Sequence, residues 1–251
     1  PAPAAGLPSL VGLSRDELGA VVAALDEPAF RVKQLWHWVY YRGARDFGDM
    51  TTLSKGLRAK LAEAHSLDRP EIVEHHKSED GTQKWLLRFA DGNEAETVHI
   101  PDGDRGTVCI SSQVGCTLTC RFCHTGTQRL VRNLTPAEIV GQLMIVRDAF
   151  DEWPSPSEDR NITNIVMMGM GEPLYNFDNV ATSVKIMIDG DGLGGESRRF
   201  APRGDRRDPR RDRADQQEIP DRRAAGRLPR LPRGQQRPAH HLRICHAQGR
   251  Q

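Results

Sequence analysis

Apolar and polar positions in the first seventy residues recur at helical spacing. Ser14-Arg15-Asp16-Glu17 reads as a capping box. A hydroxyl there can take the third helical N–H while a Glu three residues on reaches back, so a helix is predicted to about Leu25. Between Phe30 and Tyr41, the large residues Phe30, Leu35, Trp36, Trp38 and Val39 fall at mixed helical intervals and predict a second, buried helix. Leu53 to Ala64 predicts a third. The period then drops to two. Gln83–Phe89 and Glu94–Ile100 read as strands, with Asp91-Gly92 supplying the hairpin turn.

From Thr107 the order becomes strand, loop, helix, strand, loop, helix. Thr107–Ser111 is a short strand. Thr135-Pro136-Ala137-Glu138 places an N-cap, a Pro at the first helical position and a Glu at the third, opening a helix to about Phe150. After a Pro/Ser loop at Trp153–Ser157, the apolar, β-branched run Asn161–Met168 suits a buried parallel strand. It leads into Gly169-Met170-Gly171-Glu172-Pro173, and a last helix spans roughly Phe177–Ile188. Both unusual loops thus follow the carboxyl ends of parallel strands, where α/β barrels build their sites. No internal repeat is present.

Composition divides the chain. The formal charge is +1, yet residues 1–200 carry 21 Lys+Arg against 28 acids, and residues 201–251 carry 14 Arg, no Lys and 6 acids. The tail's large aliphatics are Ile219, Leu228, Leu231, Leu242 and Ile244, too few to offset chain entropy, so disorder is expected there. No apolar run approaches the roughly 18 residues of a membrane span. Pro1-Ala2-Pro3-Ala4-Ala5 lacks the basic and apolar regions of a signal peptide, and the expected location is the cytoplasm. Four of the five cysteines lie within Cys109–Cys123, which reads as a metal or redox site and not a disulfide framework.

Cys116, Cys120 and Cys123 form a C-x3-C-x2-C triplet. Three thiolates at this spacing can hold three irons of a [4Fe–4S] cluster and leave the fourth open to the amino and carboxylate groups of S-adenosylmethionine. The same sulfurs could form a structural zinc site with Cys109 or His124 as fourth ligand. Phe122 could shield such a group from water or be an ordinary core aromatic. In Gly169–Pro173 the glycines permit close backbone approach to a ligand, and Glu172 can accept hydrogen bonds from an ammonium, although a plain strand-ending turn reads the same way. Taken alone, Cys109 is a small buried hydrophobe and Glu96 a solvated strand residue; Asp102 and Asp104 are turn residues.

Glu96-Thr97-Val98, the run Cys109 to Cys116, Cys120, Cys123, Arg132-Asn133-Leu134 and Val166 to Pro173 resemble the RlmN family over roughly residues 10–199. These are radical S-adenosylmethionine enzymes that methylate carbon 2 of an adenine in 23S ribosomal RNA and in some transfer RNAs. The resemblance implies an α/β fold: a small α+β accessory domain at 1–104, the first part of a (β/α)6 radical-type barrel at 105–199, and a separate tail at 200–251. It implies a [4Fe–4S] cluster on Cys116, Cys120 and Cys123, with Gly171 and Glu172 contacting S-adenosylmethionine. Glu96 looks like the base that removes the substrate proton. Cys109 looks like the thiol that closes a transient disulfide with a methyl-carrying cysteine near the family's C-terminus. A reductant protein such as flavodoxin and a monomeric state are implied as well.

The likeness stops at Arg199. The family's third strand, Ser-Leu-His motif and methyl-carrying cysteine are expected beyond it, and Cys245 does not sit in that pattern. An Arg- and Pro-rich, Lys-free stretch is what GC-rich DNA gives in a wrong frame. With suitable synonymous codons, residues 200–251 read one base later spell a family-like run beginning Ser-Leu-His. The expectation is therefore an out-of-frame tail and a chain without turnover. An Arg-rich RNA-binding arm, a non-catalytic cluster-binding fragment and a zinc-stabilised RNA-binding module are the alternatives.

Overall fold

The computed structural model describes residues 6–103, 105–154, 156 and 159–194. The expectations for residues 200–251 and for Asp104 lie outside the described residues. Three helices open the chain. In α1 (Arg15–Ala24) the capping box forms in both directions, and Leu18 and Val22 face inward. Next, α2 (Arg31–Trp36) continues into a wider, π-wound turn at His37–Tyr41. Phe30 stands outside that helix, 58% exposed with the Arg31 guanidinium over its ring, and does not join the buried face that the spacing predicts. Finally, α3 (Lys55–Ala64) is capped by Ser54 and buries Leu57 and Leu61.

A five-stranded sheet follows in the order β1-β2-β3-β4-β7. Strands β1 (Glu71–Lys77), β2 (Gln83–Arg88), β3 (Glu94–Asp102) and β4 (Arg105–Cys109) form antiparallel neighbours. Gly92 takes φ +84° at the β2–β3 turn, a conformation that costs other residues and not glycine. Two short strands, β5 (Gln113–Val114) and β6 (Arg132–Asn133), pair with each other outside this sheet. The helix α4 (Pro136–Phe150) then crosses over to β7 (Asn164–Val166), which pairs parallel to β4 and forms the sheet's edge. The last helix, α5 (Phe177–Ile188), packs against α4. This βαβα run is the start of a barrel built on a mixed sheet.

The register sorts side chains onto two faces. Trp85, Leu87, Ala95, Thr97, His99 and Val108 are buried on one. There α4 covers the sheet, through Thr97 to Gln142 and His99 against Phe150. Lys84, Glu96, Val98, Cys109 and Val166 alternate onto the other face and remain half-buried. One core runs from Leu10 to Leu193 and joins the helices to the sheet. At its rim Asp148 accepts from Arg69, Arg45 and the Trp153 indole. The Trp153 ring lies against Gly43, where a Cβ would come within 2.3 Å of it. Burial depresses the Arg147 guanidinium to about 10, and its Nη2 donates to the Leu193 carbonyl.

A second latch joins the β2–β3 turn to the start of α4. Arg132 donates to Asp91 and Glu138, with its guanidinium 5.7 Å from the Phe89 ring centroid. The hydrogen bond from Arg132 holds the Asp91 carboxyl far below the usual carboxylate range. A depressed folded value means that this stabilisation is full above the ordinary aspartate range and is lost as pH falls through the folded value. The unfolding free energy of Asp91→Asn from urea denaturation is expected below wild type at pH 6, by under ~1 kcal/mol for so exposed a pair. The two curves should converge on acidification below pH ~4; a gap that stays constant to the acid limit contradicts the latch.

Candidate functional site

The site grows from the carboxyl ends of β4 and β7. Hydrogen bonding between them outlasts the strands: Ile110 N–H donates to Val166 O at 3.0 Å, Gly169 N–H to Ile110 O at 3.1 Å, and Ser112 N–H to Met170 O at 2.8 Å. Residues 169–171 therefore lie directly against residues 110–113. Ser111 Oγ donates to the Glu96 carbonyl at 2.7 Å and accepts the Met170 N–H at 2.9 Å. A Cβ on Gly169 would meet Ser111 Oγ at 2.6 Å, and one on Gly171, at φ +92°, would meet Gln113 Cβ at 2.4 Å. The glycines of the Gly169–Pro173 motif are there for close backbone packing.

Three buried amides, none singled out by the sequence analysis, hold these segments. Gln142 of α4 accepts from Thr97 Oγ1 and Ser111 N–H through Oε1, and donates to the Ser111 and Glu138 carbonyls through Nε2. Gln113 donates to Thr117 Oγ1 and Asn133 Oδ1, and accepts the Glu172 N–H at 3.0 Å. Asn176 donates to the Ser112 and Leu134 carbonyls, both at 2.8 Å. Gln142 had a legible signal, an amide inside the apolar run Ile139–Val146. Gln113 and Asn176 had none.

The cysteine loop is pinched at its neck. Gly115 takes φ +74°, and a Cβ there would run to 2.1 Å from the Arg129 carbonyl. Cys116 bridges to Arg129, Val131 N–H donates to Val114 O, and β5 pairs with β6. Inside the loop, Leu118 N–H lies 3.4 Å from Cys116 Sγ, Cys123 N–H donates to Cys120 O, and Gly126 sits where a Cβ would come 2.6 Å from Cys120 O. Cys116, Cys120 and Cys123 are free thiols, each half-buried. Phe122 is 87% exposed, and so neither a core aromatic nor packed over the sulfurs.

Among the described residues, no three His, Cys, Asp or Glu side chains are gathered as a metal-holding group. The loop brings the three sulfurs together in sequence and on one neck, without converging them. Their chemistry still fits a thiophilic group: three unoxidised thiols within eight residues, and one backbone N–H directed at sulfur.

Glu96 and Cys109 share the open face of the sheet, since Cys109 pairs with Val98, two residues along β3 from Glu96. Lys84 Nζ lies 2.9 Å from Glu96 Oε1. Burial raises the Cys109 thiol above its ordinary value, opposed by an N–H from Met168. Glu172 caps the turn Pro173–Asn176 by accepting the Leu174 N–H at 3.2 Å, with its own N–H on Gln113. Cys109 is a free thiol too. Its raised value predicts slow alkylation: at pH 7.5 iodoacetamide should modify Cys109 more slowly than the cysteines of the loop, as read by mass spectrometry of tryptic peptides. Equal rates contradict the burial argument.

Comparison with known proteins bears on the same residues. The family model for the ribosomal RNA large subunit methyltransferase N-terminal domain matches residues 9–67. The dual-specificity RNA methyltransferase RlmN of Rhodospirillum rubrum is 64% identical over 193 residues, 76% of this chain and 45% of that protein. Its counterpart from Gluconobacter oxydans is 59% identical over 199 residues, 78% and 49% of the two chains. Among solved structures, a radical SAM methyltransferase from Sphaerobacter thermophilus superposes with a TM-score of 0.67 at 40% identity, covering 74% of this chain and 54% of that one. The chain spans about half the length of the curated relatives it matches. Over the three quarters of its length covered by these matches, the chain is similar to RlmN-type RNA methyltransferases and shares the fold of a radical SAM methyltransferase.

Proposed function

We propose that this chain carries the cofactor-binding part of an RlmN-type RNA methyltransferase, acting on carbon 2 of adenine in 23S ribosomal and transfer RNA. The observation that supports it best is the seating of the Gly169–Pro173 turn against Ser111–Gln113, at the base of a loop with three free thiols. In this reading Cys116, Cys120 and Cys123 hold a [4Fe–4S] cluster. Gly171 exposes backbone to S-adenosylmethionine, and the Glu172 carboxylate accepts from its amine N–H groups. Bound together, cluster and nucleotide supply one-electron chemistry that protein side chains lack.

The other residues handle protons and sulfur. Glu96, on the open face and steadied by Lys84, takes the proton from the substrate carbon. Cys109, on the same face, attacks as thiolate the sulfur of a cysteine whose methylene has become joined to the substrate carbon; the S–S bond forms as that C–S bond breaks, and its electron pair leaves with the methylated product. The four cysteines among the described residues all have other roles in this scheme, so that partner is not among them. In this reading residues 6–194 supply the cluster and nucleotide contacts, and the methyl-carrying cysteine comes from outside them. A flavodoxin-type electron donor, a monomeric state and a cytoplasmic site of action complete the proposal; among the described residues no helix is long and apolar enough to cross a membrane.

Anaerobic reconstitution with iron and sulfide tests the reading. The chain should turn brown, with cluster absorption that Cys116→Ala, Cys120→Ala and Cys123→Ala each abolish. A colourless protein holding zinc on the same sulfurs, or a cluster indifferent to these substitutions, refutes it.

A further inference from the structure

Gln113 occupies a singular position. Its side chain is fully buried and spends its donors on the cysteine loop and β6, through Thr117 Oγ1 at 2.9 Å and Asn133 Oδ1 at 2.8 Å. Its one acceptor oxygen receives the backbone N–H of Glu172 at 3.0 Å and that of Thr117 at 3.3 Å. Thr117 follows Cys116 directly, and Glu172 carries the carboxylate assigned above to the nucleotide's amine. One planar amide thus ties the peptide after the first cysteine to the peptide of Glu172. The backbone repeats the tie, because Gln113 N–H lies 3.2 Å from the Met170 carbonyl. Gly171, whose Cβ would strike Gln113 Cβ, lets the two segments close to this distance.

We infer that Gln113 is a positioning residue, which fixes the separation between the cysteine loop and Glu172 and so lets one ligand bridge them. This rests on the proposed cluster and nucleotide site and goes beyond it in naming the group that sets its span. The ligand class follows: a molecule with an amino acid head, whose amine N–H groups Glu172 would accept while the same head reaches a metal held by the loop. A buried amide is suited to the task. Its donors and acceptor point in fixed, opposed directions, and leaving any of them unpaired in the interior is costly. Gln113 touches neither metal nor substrate in this account. It acts through Thr117 and Glu172.

The test uses the whole chain, reconstituted anaerobically with iron and sulfide and titrated with S-adenosylmethionine. The readout is the change in the electron paramagnetic resonance spectrum of the reduced cluster as the nucleotide binds. Gln113→Met, of similar length and without polar atoms, should keep wild-type iron and sulfide content and weaken nucleotide binding about tenfold or more, with the spectral change correspondingly reduced. Gln113→Glu keeps the acceptor for the Glu172 N–H and should bind within about threefold of wild type. Thr117→Val, which removes one hydroxyl partner and leaves Glu172 held, should fall between the two. Wild-type affinity and spectrum in a cluster-loaded Gln113→Met protein overturn the inference. Should Gln113→Met fail to fold, a folded Gln113→Glu protein decides: near-normal binding supports positioning through the acceptor, and a tenfold loss overturns it. A wild-type chain that takes up no cluster fails one step earlier, refuting the proposed site and this inference with it.

Discussion

A strand that ends inside a protein leaves peptide N–H and C=O groups that water cannot reach, and each must find a partner. Here β4 ends at Cys109, and the three residues after it, Ile110, Ser111 and Ser112, are almost wholly buried. Their backbone groups are met by Gln142 from α4, Asn176 from the turn before α5, and the carbonyl of Met170 beyond β7. Each partner comes from a different element, so satisfying one buried peptide run also fixes where those elements stand. The seating of the Gly169–Pro173 turn is a by-product of that requirement. Gln142 is the most constrained member, with both donors and its acceptor engaged at full burial. Replacing it with an aliphatic residue would strand the Ser111 peptide, a larger penalty than the loss of one hydrogen bond.

The sequence was most readable where structure is decided locally. Both capping boxes, at Ser14 and Thr135, form as their spacing requires, since a side chain and a backbone group three residues apart need no outside help. The Asp91-Gly92 turn was legible for the same reason. Strand β1 has no sequence signal, because nearly all of its side chains are exposed and Glu71-Ile72-Val73-Glu74-His75-His76-Lys77 shows no alternation; it joins β2 through the backbone ladder and through His75 stacked on Trp85. The apolar run Asn161–Met168 predicts one buried strand, but only Asn164–Val166 forms one, largely exposed at the sheet's edge, and the residues beyond turn to follow Ile110 to Gln113. Phe30 and Phe122 stand in solvent although their hydrophobicity suits an interior, since hydrophobicity alone does not say which side of a turn faces inward.

At the site, the cysteine spacing and the glycine-rich turn stand out in the sequence, and the side chains that hold those segments in place do not. Cysteine spacing and a glycine-rich turn after a strand are informative because few other sequences do the same work. Glutamine and asparagine are common on surfaces, and nothing in a linear sequence marks the one whose amide will meet three segments. The same holds for the Asp148 rim, where Arg69 and Arg45 arrive from distant parts of the chain to meet the nearby Trp153. There the Trp153 ring has guanidinium carbons on it at 6.0 Å from Arg69 and 5.3 Å from Arg147, contacts that offset part of the desolvation of two buried cations.

The pinch at Gly115 and Arg129 has a consequence for the order of assembly. Hydrogen bonds across that neck and between β5 and β6 close the loop without any help from the sulfurs inside it. Rearranging the thiols can then proceed as a local event, with the sheet and α4 already in place. In zinc fingers, metal uptake and folding are a single transition. On the proposed reading, the neck and the β5–β6 pair would hold this loop closed independently of its sulfurs, so that cluster uptake need not be the folding transition.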